Sequence, residues 1–233
     1  MKTLAISLLA GTALVGFASA SYAADLIIEE PAAEVGIVDV SGSWDGPFIG
    51  VFAGWGAGTA DHTAAGGVGP LPVGGNDVDL SGWFIGVNAG ANFTVSEALV
   101  LGIVGDIAWA DITGEIDGTL FDGTTHTIDW QGSVRGIVGF DGGAFLPYLT
   151  GGLAFAHAER ESPLGPQPNV ADATHVGWTV GAGVKFAVTE DMNIDLLYRY
   201  SDYGAQTYDF PSGTDPEIAL TTHTVQVGLN WQF

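Results

Sequence analysis

Apolar residues recur at every second position in eight segments of this chain, the period of a β-strand whose successive side chains point to opposite faces. In Ile49 to Ala57 one face carries Ile49, Val51, Ala53, Trp55 and Ala57. From Ser81 to Phe93 it carries Trp83, Ile85, Val87, Ala89, Ala91 and Phe93. Leu99 to Trp109 offers Leu101, Ile103, Ile107 and Trp109, and Trp130 to Phe140 offers Trp130, Val134, Val138 and Phe140. Phe145 to His157 offers Leu149, Leu153 and Phe155, and His175 to Phe186 offers Val176, Trp178, Val180, Val184 and Phe186. Met192 to Ser201 and Thr221 to Phe233 complete the set with Ile194, Leu196, Tyr198 and Tyr200, then Val225, Val227, Leu229, Trp231 and Phe233.

The opposite parity decides between two solvents. A soluble barrel or sandwich turns its apolar face to a core and clothes the other face with charge. Here the second face is Gly, Ala, Thr and Asn with few charges, too small and dry for water, so lipid is assigned to the apolar face. Long, Gly/Pro-rich, acidic connections (Thr59 to Val78, Asp111 to Thr125, Glu159 to Ala173, Asp202 to Glu217) alternate with short ones near Ser96, Gly142 and Thr189. Long loops on one rim and tight turns on the other characterise outer-membrane barrels. The pattern therefore predicts an all-β fold, an eight-stranded antiparallel up-and-down transmembrane β-barrel.

The first residues read differently. Lys2, the apolar run Leu4 to Phe17 and the small residues ending at Ala23 form an export signal, assigned to residues 1–23 with cleavage after Ala23 or Ala24. Residues 24–45, with Glu29, Glu30, Pro31 and Glu34, read as an acidic periplasmic linker, and residues 46–233 as the barrel domain. The expected location is the bacterial cell outer membrane.

Charge narrows the partners. Twenty-seven acidic residues against five basic ones give a formal net charge of −22, which repels nucleic acid. With no cysteine there is no disulfide framework. Arg135, Lys185 and Arg199 fall on the inner parity with Asp106 and Asp195 as available partners, so an ion-pair network in the lumen is expected. Eight strands leave an interior just wide enough for side chains, which favours filling over conduction.

Recognisable enzyme motifs are absent from the sequence: there is no Gly-x-Ser-x-Gly elbow, His-Glu-x-x-His or phosphate-binding loop, so no enzymatic activity and no cofactor are expected. The five histidines map to the long loops or the strand ends beside them, and His157 and His175 are the rim candidates for haem or a metal ion. They lack ligand spacing, and rim histidines are more commonly just solvated polar residues. The acidic loops suit divalent cations bridging to anionic lipopolysaccharide, although simple hydration with no ligand is the more common role of such loops.

These residues resemble the OmpA-like eight-stranded outer-membrane barrel family, in its small porin-family or opacity-like surface-antigen branch. The resemblance covers Trp44 to Phe233. It rests on Trp44-Asp45-Gly46-Pro47-Phe48-Ile49-Gly50, Gly105-Asp106-Ile107-Ala108-Trp109, Val134-Arg135-Gly136 and Phe145-Leu146-Pro147-Tyr148-Leu149-Thr150-Gly151-Gly152-Leu153-Ala154. The ending His223 to Phe233 is similar to the family's C-terminal signal, which implies that Val225, Val227, Leu229, Trp231 and Phe233 are read by the barrel-assembly machinery. Gln226 departs from the pattern, standing where an inward basic residue is common. The implied role is a surface antigen that supports envelope integrity with at most narrow pore activity, contacting outer-membrane lipid and lipopolysaccharide. A loop-mediated haem or ligand receptor, or an adhesin, is the alternative.

Overall fold

A computed structural model describes residues 44–63, 78–116, 124–161, 170–207 and 217–233. The export signal and nearly all of the acidic linker expected from the sequence lie outside the described residues. Eight strands follow one another: β1 (Gly46–Thr63), β2 (Val78–Ser96), β3 (Leu99–Ile116), β4 (Thr124–Phe140), β5 (Phe145–Glu161), β6 (Val170–Ala187), β7 (Met192–Thr207) and β8 (Glu217–Gln232). Each pairs antiparallel with the next, and β8 returns to β1 from Phe48↔Gln232 to Thr63↔Glu217, closing the barrel. Closure leaves no free edge, so every strand satisfies its backbone groups within the ladder, which a bilayer demands.

The faces divide as the alternation requires. Ile49, Val51, Ile85, Val87, Ile103, Ile107, Val134, Leu149, Leu153, Val180, Leu196 and Val227 are exposed on the outer wall. Two aromatic belts bound this apolar band. The upper one runs through Trp55↔Trp83, Trp109↔Trp130, Trp130↔His157 and Tyr200↔His223, with Trp178 between. The lower one holds Phe93, Phe140, Phe145, Phe186, Trp231 and Phe233. From Trp83 to Phe93 is about ten residues at about 3.3 Å each, and with a tilt near 40° the band is about 25 Å tall, matching an outer membrane. Indoles at both margins suit the lipid–water boundary.

Above the upper belt the wall changes sense. Ala60, Val78, Leu80, Ile112, Ile128, Ala158, Ala171, Ile218 and Leu220 are buried inside, while Asp61, Asp79, Ser81, Asp111, Thr113, Glu115, Asp129, Glu159 and Asp172 face outward. This outer extension is an ordinary water-facing barrel stacked on a membrane barrel. The sequence reading assigned much of it to loops; the strands in fact consume both ends of each long connection. Outward-apolar alternation stops at the belt, but the hydrogen-bonded ladder does not. Register shifts at Trp109/Ile112, Ile128/Trp130 and Asp202/Ala205 lie at this transition, where bulges increase local twist.

Candidate functional site

The lumen is the candidate site, and the strands position its groups by parity alone. Asp106 on β3 lies in register with Ser133 on β4, and Arg135 follows one inward step along. Arg135 Nη2 stands 2.8 Å from Asp106 Oδ2, and Arg199 reaches across from β7 to place Nη1 3.1 Å from Asp106 Oδ1. All three side chains are at most 4% exposed. Ser133 donates its hydroxyl to Asp106 and accepts from Arg135 Nε at 2.8 Å and Arg199 Nη1 at 3.2 Å. Arg135 also donates to Thr150 Oγ1 at 3.4 Å, while Thr150 donates to the Gly136 carbonyl at 2.7 Å. One carboxylate thus neutralises one guanidinium and gathers a second.

Lys185 and Asp195 are Cα partners across β6 and β7, yet no ion pair within 4.0 Å joins them among the described residues. Tyr148, projecting from β5, donates to Asp195 Oδ1 at 2.7 Å. The Lys185 ammonium lies 4.2 Å from the centre of the Phe48 ring and 5.7 Å from that of Tyr148. The five lumen charges named from the sequence therefore form two groups. Between them remains a cavity of about 10 Å³, lined by Phe48, Asn88, Arg135, Tyr148, Lys185, Asp195 and Gln226 among others. That is room for about one water molecule. Ser133, Thr150 and Tyr148 complete these groups; the sequence placed them inward but gave no sign of whom they bond.

Apolar layers lie on either side. Toward the long loops, Phe52, Phe84, Ile112, Ile128, Tyr203, Ile218 and Leu220 pack in one buried cluster. Toward the short turns, Trp44 packs with Val100 and Leu146 and donates its indole N–H to the Gly143 carbonyl at 3.0 Å. Gly143 takes φ +78° in that turn, a left-handed conformation natural to glycine. Asp45 fixes the entering chain, its carboxylate accepting from Thr94 N at 2.8 Å and its carbonyl from Gln232 Nε2 at 2.9 Å. Trp44 fell at the end of the segment read as linker, so its place inside the barrel mouth was missed.

The histidines do not assemble on one face. His157 faces outward, stacked on Trp130 at 5.8 Å with its Nε2 3.9 Å from Asp129 and 4.0 Å from Asp172. His175 is fully buried on the inner face, although its backbone neighbours Ala156 on the next strand. His126 is buried too, His223 faces outward with Nδ1 2.7 Å from the Tyr198 hydroxyl, and the His62 side chain lies outside the described residues. The rim pair His157 and His175 is thus split by the barrel wall. At the C-terminus Val225, Val227, Trp231 and Phe233 are exposed on the outer face, Leu229 is half-buried there, and Phe233 N donates to the Pro47 carbonyl at 2.9 Å.

Known proteins are similar to this chain in sequence over most or all of its length. The outer membrane protein beta-barrel domain family matches residues 10–233. The chain belongs to this family. Among outer-membrane barrel relatives, the 31 kDa outer-membrane immunogenic protein of Brucella melitensis is 31% identical over 93% of this chain and 95% of its own length. The 25 kDa outer-membrane immunogenic protein of Brucella abortus is 30% identical over the full length of both. The solved structure of Neisserial surface protein A is similar at 18% identity and a TM-score of 0.46, covering 78% of this chain and 97% of that one. This protein is accordingly an outer-membrane β-barrel.

Proposed function

We propose that this outer-membrane barrel is a non-enzymatic structural component that supports envelope integrity and presents its outer loops at the cell surface, with at most narrow pore activity. The single observation that carries the reading is the layered filling of the lumen: Trp44 with Val100 and Leu146, the Asp106, Arg135 and Arg199 group, then the apolar outer cluster. A solute would have to separate two buried ion pairs and then cross a dry apolar layer, each step costing several kcal/mol.

The outside supports the lipid assignment. Arg135, Arg160, Lys185 and Arg199 are all buried, and Lys2 belongs to the expected export signal, so the surface above the belt offers carboxylates to the head-group region. Lipopolysaccharide phosphates would then be approached through bridging divalent cations. The C-terminal row ending in Phe233 suits reading by the barrel-assembly machinery, and the N-terminal apolar run suits export by a cleaved signal.

The test combines conductance and phenotype. Purified protein in planar bilayers is expected to give no large stable channels, and a strain lacking it is expected to become sensitive to detergent and chelator until complemented. Conductance in the range of an open general porin, or an unaltered envelope in the deletion strain, would overturn the reading.

A further inference from the structure

The middle of the lumen holds three cationic side chains, Arg135, Lys185 and Arg199, and two carboxylates, Asp106 and Asp195. Both guanidinium groups converge on Asp106. Asp195 is bound by the Tyr148 hydroxyl. Lys185, 2% exposed, faces the rings of Phe48 and Tyr148, and among the described residues no carboxylate oxygen lies within 4.0 Å of it. Aromatic faces favour the charged ammonium without neutralising it. Asp195 attracts Lys185 across the β6–β7 pair, yet two carboxylates against three cations leave one positive charge in excess in a region closed off by apolar layers, where such an excess is strongly disfavoured.

Lys185 and Arg135 both border the cavity of about 10 Å³. Its other polar lining includes Asn88 and Gln226, whose amide oxygens have no hydrogen-bond partner among the described residues. Either amide can rotate its NH₂ inward, since an amide presents a donor and an acceptor on one terminal group. Asp195 borders the same space, with Tyr148 hydrogen-bonded to its Oδ1. We propose that this cavity, between Lys185 and Arg135, is a binding site for one small monovalent anion of halide size that completes the charge balance of the lumen.

The ion is a structural ligand. Its enclosure between the Trp44 layer and the outer apolar cluster makes exchange slow, and its loss weakens the fold. The test uses the protein refolded and crystallised from detergent with sodium bromide as the sole halide. An anomalous bromine peak between Lys185 and Arg135 is expected, and none at that place in Lys185→Met. In solution the wild-type melting midpoint should be higher in sodium chloride than in sodium gluconate at equal ionic strength, and that difference should vanish in Lys185→Met or Lys185→Gln. A wild-type crystal with no bromine peak in the cavity overturns the proposal whatever the variants do, as does a peak unchanged in Lys185→Met.

Discussion

Single side chains carry opposite consequences on the two faces of one wall. Val87 lies mid-band on β2, two outward positions below Trp83, so Val87→Arg should destabilise by about 2–4 kcal/mol. Val180, one outward position from Trp178, should lose less with the same change because the cost falls toward the interface. Urea unfolding in lipid vesicles measures both. Glycines divide similarly. A Cβ at Gly177 would meet the Asp202 carbonyl oxygen and the Tyr203 backbone, whereas at Gly136 nothing lies nearer than 3.9 Å. Gly177→Ala should therefore cost about 1–3 kcal/mol by overpacking, and Gly136→Ala should stay within about 0.5 kcal/mol. Asp106→Asn leaves Arg135 and Arg199 without their shared carboxylate and should cost about 3–5 kcal/mol in the same assay.

Strands show where a sequence speaks and where it falls silent. Inside the lipid band, alternation marks both faces, and the inner parity of Asp106, Arg135, Lys185, Asp195 and Arg199 was legible residue by residue. Partner choice was not, because it depends on reach across the lumen: Tyr148 comes from β5 to bond Asp195, and Arg199 from β7 to bond Asp106. Strand ends were misread for a different reason. Asp111 and Thr113 look like loop residues until Ile112 between them is seen to face inward, since the polarity of the pattern reverses when water replaces lipid outside. Ile112, 0% exposed yet within a segment read as loop, makes the point measurable. Ile112→Ala should cost about 2–5 kcal/mol on unfolding, as a core truncation does and a loop change does not.

For the whole molecule, the filled layers act as barriers in series. Trp44→Ala removes only the one nearest the short turns, so planar-bilayer recordings of this variant should match wild type; a large new conductance would mean that the indole alone holds the path shut. The stacking of two barrels of opposite polarity also constrains assembly. Were β2 to slip by one residue against β3, Asp79 and Ser81 would swing into the dry plug while Val87 and Ile85 turned toward the guanidinium groups below. Such an error is penalised in water and in lipid at once. The shear of this barrel thus has one tolerable value, fixed from both ends, even though many of its rungs are glycine and alanine that hold register weakly by themselves.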